Sequence, residues 1–235
     1  MKTLPKISFF AILLLGFIFL WACRKNEVEN RTIATVNYYY SYFPIYVGST
    51  YIYKVDSLVW NTYKFKYDTS SYYLKEQIDS PFIDLAGDQA FKVYRWWTKD
   101  TTMAWTGERV WTEKTTKNEA QRWEENIRYL RLYFPVKLNY AWNGNKYNNI
   151  DSFKEYNYFY KEVHKPFSLA GISYDSTVLV SQINYTDALE SHIAQARYAA
   201  KVGLIYREES DTSNVGNGLT LGSYFTKQTL LKFTK

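Results

Sequence analysis

A period of two constrains this chain more than any other feature. From Tyr51 onward, stretch after stretch alternates apolar and polar residues. In an extended strand that spacing sends successive side chains to opposite faces. Tyr51-Ile52-Tyr53-Lys54-Val55-Asp56-Ser57 sets Tyr51, Tyr53 and Val55, with Val59 beyond, on one face of a half-buried strand. Further strands are predicted at about Thr69–Ile78, with Tyr72, Leu74 and Ile78 on one face, at Phe91–Trp97 and at Trp105–Trp111. Ala120–Trp123 and Ile127–Phe134 follow, the second with Leu130, Leu132 and Phe134 together. Tyr156–Val163, Tyr174–Ile183, Val202–Glu208 and Tyr224–Phe233 complete the series. The residues are of the right kind: 24 Tyr, 14 Phe and 8 Trp make the chain 20% aromatic. Aromatic side chains favour strands, and Tyr and Trp join an apolar body to a polar tip.

Turn signals separate the runs. Asp79–Asp88, carrying Pro81 and Gly87, reads as a loop, Lys99-Asp100-Thr101-Thr102 as a turn, and Pro135 as a strand end. Asn143-Gly144 inside Trp142-Asn143-Gly144-Asn145 is the strongest tight-turn signal, because both residues tolerate positive φ. Pro166 and Gly171 link the strands at 156–163 and 174–183, and Asp211–Gly218 reads as a turn. Leu189–Lys201 has helix-forming composition yet runs straight into a strand, so helix and strand both remain open there. About ten strands, short links and no β-α alternation predict antiparallel meanders. The predicted fold is mainly β: a strongly curved sheet or open barrel of lipocalin or lipoprotein-carrier type, with a two-sheet β-sandwich as the alternative. The long runs at 51–60, 67–78, 156–164 and 174–183 favour the curved sheet.

The first twenty-three residues obey a different rule. Lys2 and Lys6 open the chain, no charge occurs from Ile7 through Trp21, and Leu20-Trp21-Ala22-Cys23 closes the segment. A basic start, an apolar core and a small residue before the cut make a secretory signal. Cys23 is the single cysteine. The segment resembles the lipobox of bacterial lipoproteins, Leu-x-(Ala/Gly/Ser)-Cys, with Leu20, Ala22 and Cys23 in place and a bulky Trp21 between. The resemblance implies removal of residues 1–22, thioether-linked diacylglycerol on Cys23, and a third acyl chain such as palmitate on the new amino terminus. Each buried methylene contributes about 0.8 kcal/mol, so several chains hold a domain on a membrane stably where one does not. The alternatives are a transmembrane helix, for which the apolar run falls short of the roughly 20 residues needed, and an ordinary signal that leaves Cys23 a free thiol.

The organisation read from the sequence is therefore a signal peptide at 1–22, a lipidated cysteine and flexible tether at 23–37, and one β domain at 38–235. Arg24–Glu29 resembles the surface-export signal of Bacteroidetes lipoproteins at Lys25, Glu27 and Glu29 but not at Asn26. The formal charge of +6 includes two lysines of the signal, and the remainder is too mild and too scattered for a nucleic-acid binder.

Larger pieces resemble a group of uncharacterised Bacteroidetes envelope lipoproteins. They are Tyr42-Phe43-Pro44 with Gly48 and Tyr51-x-Tyr53-x-Val55-Asp56-Ser57; Phe134-Pro135-Val136 with Trp142-Asn143-Gly144-Asn145; and Tyr198-Ala199-x-x-Val202-Gly203-Leu204-Ile205-Tyr206-Arg207-Glu208. That resemblance implies a strand before the Val-Gly-Leu run, and no activity.

The search for chemistry narrows quickly. His164 and His192 are the only histidines, and Cys23 is spoken for, so neither a metal site nor a cofactor is predicted. No G-x-S-x-G, phosphate-binding loop or dinucleotide fingerprint occurs. Asp56, Glu76, Asp84, Glu108, Glu113, Glu155 and Asp175 could supply a glycosidase pair, with Asp56 and Asp175 set in strands beside aromatics. Trp96, Trp97, Trp105 and Trp111 fall on adjacent predicted strands and are the candidate ligand-binding residues, able to stack on sugar rings or line an apolar cavity. Trp60, Trp123 and Trp142 complete the candidate aromatic set. Asp56-Ser57-Leu58, Asp100-Thr101-Thr102 and Asp175-Ser176-Thr177 resemble the short O-glycosylation acceptor of Bacteroidetes. The expected protein is a non-enzymatic binding module, lipid-anchored at the outer membrane on either its periplasmic or its outer face. Its ligand would be hydrophobic or a glycan. The rival expectations are an accessory subunit of an outer-membrane protein assembly and a carboxylate-based carbohydrate-active enzyme.

Overall fold

The computed structural model describes residues 37–149, 157–213 and 223–235. The chain divides into Met1–Val36 and Asn37–Lys235. The predicted signal, Cys23 and most of the tether belong to the first unit and lie outside the described residues, as do Glu155 and most of the Asp211–Gly218 turn.

Among the described residues, twelve antiparallel strands form one sheet. They are β1 (Thr50–Asn61), β2 (Lys66–Ile83), β3 (Gln89–Thr98), β4 (Thr106–Thr115), β5 (Glu119–Glu124), β6 (Ile127–Tyr133), β7 (Ala141–Asn143), β8 (Asn157–Leu169), β9 (Ile172–Thr186), β10 (Glu190–Ala199), β11 (Gly203–Ser213) and β12 (Tyr224–Thr234). The order across the sheet is β6-β5-β4-β3-β2-β1-β12-β11-β10-β9-β8-β7. Two six-stranded meanders are thus joined where the first strand pairs with the last, Thr50 opposite Thr234 and Val59 opposite Tyr224. The sheet curls into a nearly closed barrel, the predicted curved-sheet architecture rather than the sandwich.

Local sequence explains most boundaries. Tyr51, Tyr53 and Val55 are buried as the alternation requires, whereas Val59 is exposed because β1 runs out past the barrel wall with β2. The predicted loop at Asp79–Asp88 is corrected to a turn at 84–88. β2 continues to Ile83, since Pro81 sits at a register shift where its missing N–H breaks no ladder bond. Pro166 likewise lies inside β8, flanked by register shifts at Glu162/Lys165 and Lys165/Phe167, so that hairpin turns only at Ala170 and Gly171. Leu189–Lys201 resolves as strand β10: burial of Ala194, Ala196, Tyr198 and Ala199 between two neighbours overrides helix propensity. The Asn143-Gly144 turn is preceded by a strand the alternation did not show, β7, only three residues long. Gly144 is needed for close approach, because a Cβ there would stand 2.5 Å from the ring of Tyr158.

The barrel is sealed between β6 and β7–β8 by side chains instead of a full ladder. Asn148 acts as a surrogate peptide: its Oδ1 accepts from Arg128 N (3.2 Å) and its Nδ2 donates to Arg128 O (2.9 Å). Leu130 N donates to Gly144 O (2.8 Å), and Trp142 Nε1 donates to Leu130 O (2.9 Å). Tyr160 Oη serves both the amide and the carbonyl of Tyr133. On the other edge of β6, Asn118 prolongs the β5–β6 ladder, its backbone carbonyl accepting from Phe134 N (2.7 Å) and its Nδ2 donating to Phe134 O (2.8 Å). An exposed edge is a template for unwanted pairing, and here its polar groups are spent internally.

The two ends of the barrel differ. Meander connectivity puts the β2–β3, β4–β5, β6–β7, β8–β9 and β10–β11 turns at one end, together with the segment that enters at Asn37. That end is stoppered. A single 3-10 turn, Tyr40–Tyr42, carries buried Tyr42 and Phe43 into the core, and Lys201 N donates to Ser41 O (2.7 Å). Tyr42 Oη also bridges His164 Nδ1 (2.6 Å) and Ser176 Oγ (2.7 Å). The opposite end carries the β1–β2, β3–β4, β5–β6 and β9–β10 turns.

Candidate functional site

The middle of the barrel is filled with charge, carried on inward strand faces beside apolar residues. Glu76 shares its face of β2 with Leu74 and Ile78 and is only 3% exposed. Arg95 reaches it from β3 (Nε–Oε1 2.7 Å) and Arg122 from β5 (Nη2–Oε2 2.6 Å). Arg122 also meets Glu113 of β4 (2.9 Å). Glu124 takes Arg131 of β6 and, across the interior, Arg207 of β11 (3.2 Å). Trp111 is the apolar counterpart, with the Arg95 guanidinium 3.3 Å from its ring centroid and that of Arg122 at 4.9 Å.

Burial raises the cost of every ionised group here, and the pairing decides the outcome. For Glu76 burial is outweighed by Arg122 and Arg95, and its carboxyl is held below the ordinary range. Glu124 is held well below it by Arg131, Arg207 and Arg122 despite burial. For Glu113 burial prevails over Arg122, aided by the charges of Glu76 and Glu124, and its pKa is pushed up to about 7. The voids beside this network measure about 30 and 20 Å³. Each has room for a water molecule and nothing larger.

The open end offers more room. A groove of about 530 Å³ runs over the ends of β2, β3 and β4. Its inner wall carries Tyr72, Leu74, Arg95 and Trp97, and its rim Lys99 and Arg109. Trp97 pairs with Leu74 across the ladder, so it belongs to the inward face, yet its side chain stands 44% exposed because the barrel wall ends there. Gly107 makes that placement. Its φ is +68°, and a Cβ would come within 2.2 Å of Trp97 Nε1, so the indole packs directly against bare backbone.

The four predicted tryptophans therefore form two pairs on opposite faces of the sheet. Trp97 and Trp111 turn inward with Arg95 between them in the ladder. Trp96 and Trp105 turn outward under Lys75, whose Nζ lies 4.4 Å from one ring centroid and 5.4 Å from the other. Trp96 Nε1 donates to Glu108 (3.0 Å) and its ring stacks on Tyr94. Trp123 lines a separate outer groove with Arg128, Trp142 belongs to the seam, and Trp60 packs edge-on against Tyr67.

Of the candidate carboxylates, the structure brings together Glu76 and Glu113, both on Arg122 and both buried. Asp56 and Asp175 are on β1 and β9, four strands apart in the sheet, and make no pair. Asp56 is occupied by Lys54 and Ser71, and Asp84 by Lys114. Of the three short acceptor-like motifs, Thr101 lies in an exposed turn, Ser57 within β1, and Ser176 against Tyr42. His192 Nε2 lies 3.3 Å from Glu209. The residues that sequence reasoning missed are the arginines: Arg122, Arg131 and Arg207 carry no local mark of burial.

No protein-family model matches the chain, and no curated protein does. Solved structures share its shape loosely. A "putative exported protein with YmcC-like fold" from Bacteroides fragilis has 11% identity and a TM-score of 0.42, over 82% of this chain and 98% of that one. A "putative lipoprotein" from Parabacteroides distasonis has 13% identity and a TM-score of 0.37, again over 82% and 98%. The S-type phycobiliprotein lyase of Guillardia theta has 10% identity and a TM-score of 0.31, over 83% and 94%. At such scores the likeness bears on neither ligand nor activity.

Proposed function

We propose that this chain is a non-enzymatic, lipid-anchored protein of the outer membrane that binds a glycan at the open end of its barrel. The anchor is Cys23. The observation that carries the binding half is the exposed face of Trp97 in a 530 Å³ groove above an interior with only water-sized voids. A fatty chain needs an apolar tunnel, which the charge network occupies. A sugar ring needs one flat aromatic face and polar neighbours, which Trp97, Tyr72, Ser70 and Ser71 supply. The buried carboxylates support binding without hydrolysis, since Glu76 and Glu113 face each other through Arg122 instead of a cleft.

Two measurements test this. Mass spectrometry of the mature protein is expected to show an acylated Cys23 as the first residue; a free thiol there or an uncut leader removes the anchor. Titration of tryptophan fluorescence with an oligosaccharide library is expected to give saturable quenching in the parent and none in Trp97→Ala. Unchanged quenching in that variant places the ligand elsewhere.

A second reading, an accessory subunit of an outer-membrane assembly, is favoured by the β1–β2 turn. Tyr63 is 96% exposed there and Phe65 is exposed beside it, both at the open end. Co-purification of a partner from detergent-solubilised membranes, lost on Tyr63→Ser with Phe65→Ser, is the expected result under that reading.

A further inference from the structure

From the charge around Trp97 we infer that the groove takes an acidic glycan, one whose rings carry carboxylate or sulfate. The inference rests on the reading of the groove as a glycan site. Three of the lining residues are cations, Arg95, Lys99 and Arg109, and none is a carboxylate. The carboxylates nearby are engaged elsewhere. Glu76 lies beneath Arg95 and Arg122, Glu108 accepts from Trp96 Nε1, and Asp56 is held by Lys54 and Ser71.

The three cations differ in what they can give. Arg95 is fixed between Glu76 and the Trp111 ring and makes a rigid, donor-bearing floor. Arg109 holds Glu125 at 2.7 Å, but both side chains are more than half exposed, so solvent screens the pair and a ligand anion can replace it at little cost. Lys99 makes no ion pair with a described residue and lies exposed at the rim. A guanidinium presents a planar fork that fits carboxylate or sulfate oxygens, and an ammonium adds a point charge. With the Trp97 indole held against Gly107, the site joins an aromatic ring to positive charge around it. A ring stacked on Trp97 would carry its acidic substituent towards Lys99 and Arg109. Neutral sugars would leave those groups without an ionic partner.

The test is a glycan array in which every acidic glycan, whether uronate, sialylated or sulfated, is printed beside its neutral counterpart, carboxyl-reduced or desulfated. The full mature chain is applied, followed by titration of the best pair in solution. The expected result is binding to acidic members only, weakened by raising salt from 50 to about 500 mM as exposed charges are screened. Lys99→Gln and Arg109→Gln should each weaken it about two- to fivefold, the size of one exposed charge contact. Glu125→Gln should strengthen it by releasing Arg109, a change of opposite sign that misfolding would not produce. Equal binding of acidic and neutral partners overturns the acidic preference and leaves the glycan reading standing. Binding to no glycan, by a chain whose thermal melting is intact, overturns both.

Discussion

The hydroxyl of Tyr160 accepts a hydrogen bond from the amide of Tyr133 at 3.2 Å and donates one to the carbonyl of the same residue at 2.8 Å. One side chain thereby stands in for a whole residue of a missing neighbouring strand. The phenol is fully buried, so water cannot replace it.

Tyr160→Phe keeps the ring and leaves two backbone groups of Tyr133 unpaired. The expected loss is about 1–3 kcal/mol of unfolding free energy, the cost of buried orphan groups. Urea denaturation checks it, with Tyr140→Phe as a control. Tyr140 is exposed and stacks on Tyr133 from outside, so its hydroxyl should matter little.

Glu124 is the acid that ties the two meanders together across the interior, through Arg131 on one side and Arg207 on the other. Glu124→Gln keeps the shape and leaves the buried guanidinium of Arg131 without its counter-ion, while Arg207, partly exposed, keeps Glu209 at 3.7 Å. Breaking a buried pair in this way costs about 3–5 kcal/mol. Thermal melting should show it as a large drop, and replacing Glu125, an exposed neighbour, should give little change.

Glu113 gives the protein a pH dependence near neutrality. Its native pKa is raised by burial to about 7, above the unfolded value of about 4.5. Between those values the native state keeps a proton that the unfolded chain has released. Stability therefore falls as pH rises through that window, and the loss is complete above about 7. Glu76 and Glu124 are shifted the other way, so their contribution is lost only as pH falls below the ordinary carboxylate range. Glu113→Gln cannot ionise, and its stability relative to the parent should rise between pH 5 and pH 8. Urea midpoints at the two pH values decide it; a constant difference would mean that Glu113 does not titrate in the window.

Gly107→Ala should disturb Trp97 more than the fold. A non-glycine residue at positive φ costs about 1–2 kcal/mol, and the new methyl occupies the place of the indole. Near-UV circular dichroism should change, acrylamide quenching should increase, and glycan binding should weaken as in Trp97→Ala.

Strand after strand could be read from alternation, since a half-buried strand writes its period directly into the chain. Tyr51, Tyr53, Leu130 and Leu132 are where that reading puts them. Even the opposite facing of Trp96 and Trp97 follows from adjacency. The pairing of Trp105 with Trp96 does not. Trp105 precedes β4, and a register shift between Arg95 and Trp97 breaks the count there. The charge network was hidden for a different reason. A charged residue reads as solvent-facing even on a face it shares with apolar neighbours, as Glu76 does with Leu74 and Ile78, and only when several strands curl around one axis do Glu76, Arg122 and Arg207 come together. β7 was too short to show a period. The seam depends on Asn148 and Tyr160 lying beside a strand edge far from them in sequence, which no local pattern records.

Because β1 lies between β2 and β12, the two ribbons of this molecule are stitched along a line that includes the eleven residues of β12. Either ribbon can pair within itself without β12, but β1 and β11 stay unjoined until that strand is laid between them, so the described strand that comes latest in the sequence is the one that closes the sheet.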